Sequence, residues 1–176
     1  MQFMPIGPTS DRDASLTMKP SQEEYDAFYK AFGECFSAWS TVEINLLSIY
    51  IFLLKSSEYA AVAASFYSTI GFRAKLNMVD AIIKNSKTIS ASDLERWDKL
   101  CKKASNKSGN RNQIAHNTVF YGRLSETGIR KMFVANPRTP SEGARLHRNE
   151  LIQLRDSFVD LSQDLFHFWQ SLLPKD

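Results

Sequence analysis

Cysteine is scarce in this chain: Cys35 and Cys101 are the only two among 176 residues. Both fall in helical patterns beside apolar residues and read as reduced core thiols, not as a disulfide pair. No closely spaced cysteine pair and no HExxH pattern occurs. The three histidines, His116, His147 and His167, are far apart in sequence, so no metal site is expected. Glycine-rich phosphate loops of the GxGxxG or P-loop type are missing too, and no cofactor is expected. No apolar run approaches 18 residues. The greasiest stretch, Ile44 to Leu54, is broken by Asn45 and Ser48 and reads as a core helix, not a membrane span. The first residues lack a basic start followed by an apolar run, which argues against a signal peptide and for a cytoplasmic protein without membrane partners. Strong charge of one sign is absent as well, the net value being +3.

Composition is otherwise that of one globular domain, 43% hydrophobic and 23% charged. Charge is uneven along the chain. From Arg96 to Lys131 there are nine Lys or Arg and only two acids, Asp98 and Glu126. Such a cluster can gather a polyanion, and a solvated helix face would look the same.

Residues 1–19 carry no periodicity and read as a flexible arm before a single helical domain over 20–176. Ser21 and Glu24 have the spacing of a capping box. A first helix follows, with Tyr25, Phe28, Phe32, Cys35, Trp39, Val42, Leu46, Ile49 and Leu53 on one stripe. Val62, Phe66, Ile70, Leu76, Val79 and Ile83 predict a second helix from Glu58 to Lys84, interrupted at Gly71. A third helix is expected from a Ser92 cap, with Leu94, Trp97, Cys101 and Ala104 facing the core and the same seam running on through Ser108, Arg111 and Ala115. Asn106, Gly109 and Asn110 are poor helix formers, so a bend near Gly109 is expected. Val119–Tyr121 and Ile129–Val134 predict two strands joined around Ser125 to Gly128. A last helix is expected from near Ala144, with Leu151, Leu154, Phe158, Leu161, Leu165, Phe168 and Leu172 on its stripe. The fold class is therefore all-α: a four- to five-helix up-down bundle with a small β-hairpin inserted between the third and fourth long helices. Phe36 and Trp169 lie off the main stripes, which leaves apolar surface for a partner subunit.

The hexapeptide Arg111-Asn112-Gln113-Ile114-Ala115-His116 holds the candidate chemistry. Arginine keeps its charge and offers several donors to phosphate oxygens. Histidine exchanges protons near neutral pH. RNA cleavage through its own 2′-hydroxyl needs a base for that hydroxyl and positive charge on the phosphate, without a metal. Two plainer readings stand beside this one. Arg111 could pair with an acid of the bundle, such as Glu43, and His116 could satisfy a last helix carbonyl. Glu43 lies one turn after Trp39 beside the apolar stripe, with Arg111, His116, Arg73 or Lys75 as candidate partners.

With Trp39 and Glu43 on the first helix, RNQIAHN at the end of the third, and long helices over 20–174, the chain resembles the HEPN superfamily (higher eukaryotes and prokaryotes nucleotide-binding). The resemblance implies a homodimer in which both Arg–His motifs face one cleft, and a metal-independent endoribonuclease of the toxin–antitoxin or phage-defence kind. By it Arg111 would hold the scissile phosphate and His116 act as base or acid. Asn112, Glu43 and Asn117 would support them, with Lys75 and Lys107 as candidate RNA contacts; Tyr121 and Arg123, just beyond His116, are candidates for touching a nucleotide or plain hairpin residues. A cognate antitoxin or a nucleotidyltransferase is the partner the resemblance suggests. Non-catalytic nucleotide- or RNA-binding members of the superfamily supply the rival reading. The hairpin after the motif is not part of the family's basic pattern.

Overall fold

The computed structural model describes residues 19–123, 128–138 and 144–174. All but Lys19 of the arm expected over 1–19, and the hairpin tip expected near Ser125, lie outside them. Helix α1 spans Gln22–Leu54, α2 Tyr59–Ser68, α3 Phe72–Asn85 and α4 Ala91–His116. Strands β1 (Thr118–Arg123) and β2 (Arg130–Ala135) follow, then α5 (Arg148–Leu172). This is the expected all-α bundle of about five helices with an antiparallel hairpin insertion. In the hairpin Thr118 faces Ala135 and Arg123 faces Arg130.

Helix α1 starts where the Ser21 hydroxyl accepts the Glu24 amide at 3.1 Å. Glu24 does not close a reciprocal box. Its carboxylate accepts the Met132 amide of β2 at 3.1 Å instead, tying the hairpin to the first turn of α1. Along α1 the apolar stripe meets α5. Arg155 reaches Glu34 at 2.7 Å, the Trp39 and Phe158 rings lie 5.1 Å apart, and Asn45 donates to the Ser162 carbonyl at 2.9 Å. Contacts that rise together along both helices make α1 and α5 parallel neighbours. Lys103–Asp164 and Arg96–Ser171 run in opposite order, so α4 is antiparallel to α5. By length and composition α1 could cross a membrane, but Val42, Leu46 and Ile49 are fully buried in the bundle core.

Several expectations are corrected. The second helix is two helices. Gly71, at φ 82°, ends the link after α2 and starts α3. Ile70, on the extrapolated stripe, sits in that link and is 94% exposed. Tyr25, at the start of the first stripe, is also exposed. Helix α4 is capped by Ser90, which accepts the Asp93 amide at 3.1 Å, not by Ser92. That choice puts Ile89 and Leu94 at the spacing of a hydrophobic staple. The helix runs through Gly109 without interruption. Its seam does not continue into Arg111 and Ala115, which are half-buried; Ile114 is the buried residue there. Helix α5 begins at Arg148, later than expected, because Leu146 first exchanges two 2.9 Å bonds with Val134 of β2. The His147 amide then donates to Glu150 at 3.0 Å to open the helix.

Candidate functional site

Where α1, α3 and α4 meet, the surface opens into a cleft of about 730 Å³. Its wall on α4 is cut from small residues, Ser105, Ser108 and Gly109. These poor helix formers stay helical because α4 packs between its neighbours, and the Ser108 hydroxyl closes on the Ser105 carbonyl at 2.7 Å. Small side chains there make the wall concave.

Glu43 enters the cleft from α1. Its carboxylate takes Trp39 Nε1 at 3.0 Å and Lys75 Nζ at 2.8 Å. The Lys75 and Glu43 side chains are 10% and 18% exposed. The ammonium also lies 5.3 Å from the Phe66 ring centroid and 5.0 Å from that of Tyr67. Of the four candidate partners for Glu43, the structure selects Lys75.

Arg111 is thereby left without a carboxylate. Among the described residues it forms no ion pair, and its one hydrogen bond runs from Nη1 to the neighbouring Asn112 Oδ1 at 3.3 Å. Its Nε is buried and unpartnered. The stem lies in a small hollow with Cys35, Phe36, Ile114 and Phe158. A guanidinium held this way, against apolar side chains and short of acceptors, favours an incoming anion. His116, the last residue of α4, is exposed on the same cleft and has no hydrogen-bond partner among the described residues. Arg73 joins them from the first turn of α3 and donates to Ser105 Oγ at 3.2 Å. The cleft thus holds three fixed cations, Arg73, Lys75 and Arg111, against the single carboxylate of Glu43. Backbone amides of the first turn of α3, without a side-chain cap, open beside them.

Five of the nine residues singled out from the sequence therefore converge: Glu43, Lys75, Arg111, Asn112 and His116. Asn117 is the C-cap of α4 and does not line the cleft. Lys107 is half-buried on α4 outside it. Tyr121 and Arg123 are carried off by β1, Tyr121 into a separate groove and Arg123 to the exposed strand end. The cleft wall of Phe72, Arg73, Ser105 and Gly109 was not singled out as a site, since only the fold brings α3 against α4.

Neither cysteine is placed for chemistry. Burial pushes the Cys35 thiol up to about 11, and it donates to the Leu151 carbonyl at 3.0 Å. Burial raises Cys101 as well. Among the described residues no three His, Cys, Asp or Glu side chains gather as metal ligands. Comparison with protein-family models, curated proteins and solved structures returned no match.

Proposed function

We propose that the cleft binds the phosphate backbone of RNA and that the chain is a HEPN-type, metal-independent endoribonuclease acting as a homodimer. The observation that carries this is the Arg111 guanidinium, which has no ion pair among the described residues and shares one cleft with His116, while Glu43 is paired with Lys75. Arg111 and Arg73 hold the non-bridging oxygens of a phosphate and stabilise the charge that grows on them. One His116 takes the proton of the 2′-hydroxyl, whose oxygen attacks phosphorus. The bond to the 5′-oxygen breaks, and that oxygen takes a proton from a second imidazole, His116 of the other copy. The products are a 2′,3′-cyclic phosphate and a 5′-hydroxyl. DNA, lacking the attacking group, is not cut.

A second reading is a non-catalytic RNA- or nucleotide-binding, antitoxin-like module. Among the described residues no hydrogen bond orients the His116 ring, which favours it, since a working base is usually held by a third group. The two readings separate on one experiment. His116→Ala and Arg111→Ala are compared with the parent on single-stranded RNA and DNA of one sequence, with a chelator present. The nuclease reading expects RNA-only cleavage, cyclic-phosphate ends, and a fall of about 100-fold or more in each variant. His116→Ala should fold as the parent does, because the side chain is exposed, while Arg111→Ala gives up the packing of its stem and is compared at a temperature where circular dichroism shows it folded. Cleavage retained in His116→Ala, or equal cleavage of DNA, rejects it. RNA binding without cleavage in the parent assigns the binding module.

A further inference from the structure

Helix α1 carries a second stripe beside its core face. Tyr25, Tyr29, Phe32 and Phe36 recur at steps of four, three and four, which keeps them within a narrow wedge of the helix. Their rings form a ladder with centroid separations of 4.5, 6.2 and 5.1 Å. The ladder joins two places that already have a character. At one end Phe36 shares the small hollow with Arg111. At the other, Tyr25 and Tyr29 line a groove of about 340 Å³ with Lys19 and with Phe120 and Tyr121 of β1. His116 lies between these ends in sequence, two residues before β1. The end of α4 therefore leads directly from the cleft into β1, which carries Phe120 and Tyr121 to the groove. Tyr25 and Tyr29 are 45% and 38% exposed, so ring surface faces solvent. Gly33, exposed on the flank, has open space around it.

Exposed tyrosines beside a lysine, linked by a ladder of rings to the arginine of a cationic cleft, suit a ligand that is flat and apolar on one part and anionic on the other. A peptide helix would need a broad apolar groove. Unpaired nucleobases on a phosphate backbone match both features. We propose that the groove formed by Tyr25, Tyr29 and Tyr121 is a nucleobase-stacking subsite, which holds an unpaired base of an RNA strand whose phosphate occupies the Arg111–His116 cleft. This rests on the phosphate-binding reading of that cleft.

The test uses the full chain carrying His116→Ala, so that binding is read without cleavage, and a fluorescent single-stranded 12-nucleotide RNA. Adding Tyr25→Ala with Tyr29→Ala should weaken binding roughly tenfold or more, and Tyr25→Phe with Tyr29→Phe should restore it, since the ring and not the hydroxyl stacks. An abasic strand of the same length should bind alike to all three proteins. Unchanged affinity for the 12-nucleotide RNA in the Ala variant overturns the subsite. So does an equal loss with the abasic strand, or a Phe variant as weak as the Ala one. The parent cleavage assay separates the two ideas: ring-dependent binding with no parent cleavage defeats the nuclease and leaves the subsite, while cleavage with ring-independent binding does the reverse.

Discussion

The Lys75–Glu43 pair leaves Arg73 and Arg111 as the cleft cations without a carboxylate among the described residues. A carboxylate that already accepts from an indole and an ammonium has little left to offer a guanidinium on the next helix. The pair is nearly enclosed, so solvent screens it only in part. Replacing one partner should therefore hurt more than replacing both. Glu43→Gln keeps an acceptor for Trp39 but leaves the Lys75 ammonium uncompensated near Arg73 and Arg111. It should lower unfolding free energy by on the order of 2–4 kcal/mol. Lys75→Met on top of it keeps the stem against Phe66 and Tyr67 and should recover most of that loss. Urea unfolding of the parent, both single variants and the double variant measures the coupling. A double variant as weak as the sum of the singles would show that the two groups do not act as a pair.

Elements differ in how plainly the sequence announces them. Helices α1 and α5 were legible because each buries a long apolar stripe, and their spacing alone fixes the buried face. The break between α2 and α3 was only partly legible. Val62, Phe66 and Ile70 stay in phase across it, so the pattern runs straight through a link where Ile70 buries nothing. Gly71 was the single local sign. At α4 both Ser90 and Ser92 have cap chemistry, and local pattern did not choose between them. Gly109 misled in the opposite direction, as packing carried the helix through it. The site followed the same division. Arg111, Asn112 and His116 were visible as a motif on one helix, and Glu43 as an acid beside a core stripe. Choosing Lys75 over Arg111 as its partner required the register of α1 against α3. The two glycines now make opposite predictions. Gly71 has a positive φ that a side chain rarely adopts, so Gly71→Ala should destabilise by about 1–3 kcal/mol despite the open space around it. Gly109 lies inside a regular helix, and a methyl group added there would meet nothing within 4 Å, so Gly109→Ala should stabilise by about 0.5–1 kcal/mol. Thermal unfolding of the two variants, shifting in opposite directions, checks both. A shared direction would mean that the break and the continuous helix are wrongly placed.

At the scale of the whole molecule, the proposed reaction needs two imidazoles, one to take a proton and one to give it, and a single cleft contains one His116. The second must come from another copy set over the same opening. The rim of the cleft suits such a contact. Ile70 lines it at 94% exposure, and Tyr67, whose ring covers Lys75, is 51% exposed one turn earlier in the chain. Exposed apolar side chains bordering a cationic hollow give a second copy something to bury while the cations stay open to the substrate. Ile70→Asp tests this without touching the core, since the side chain is almost wholly in solvent. Sedimentation should show the parent as a dimer and the variant shifted towards monomer at the same concentration, with an unchanged helical circular dichroism spectrum. Cleavage should fall with the dimer fraction and recover as protein concentration is raised. A variant that stays dimeric places the interface elsewhere on the bundle. A monomeric variant that still cleaves at the parent rate removes the need for a second His116 and with it the shared-cleft mechanism.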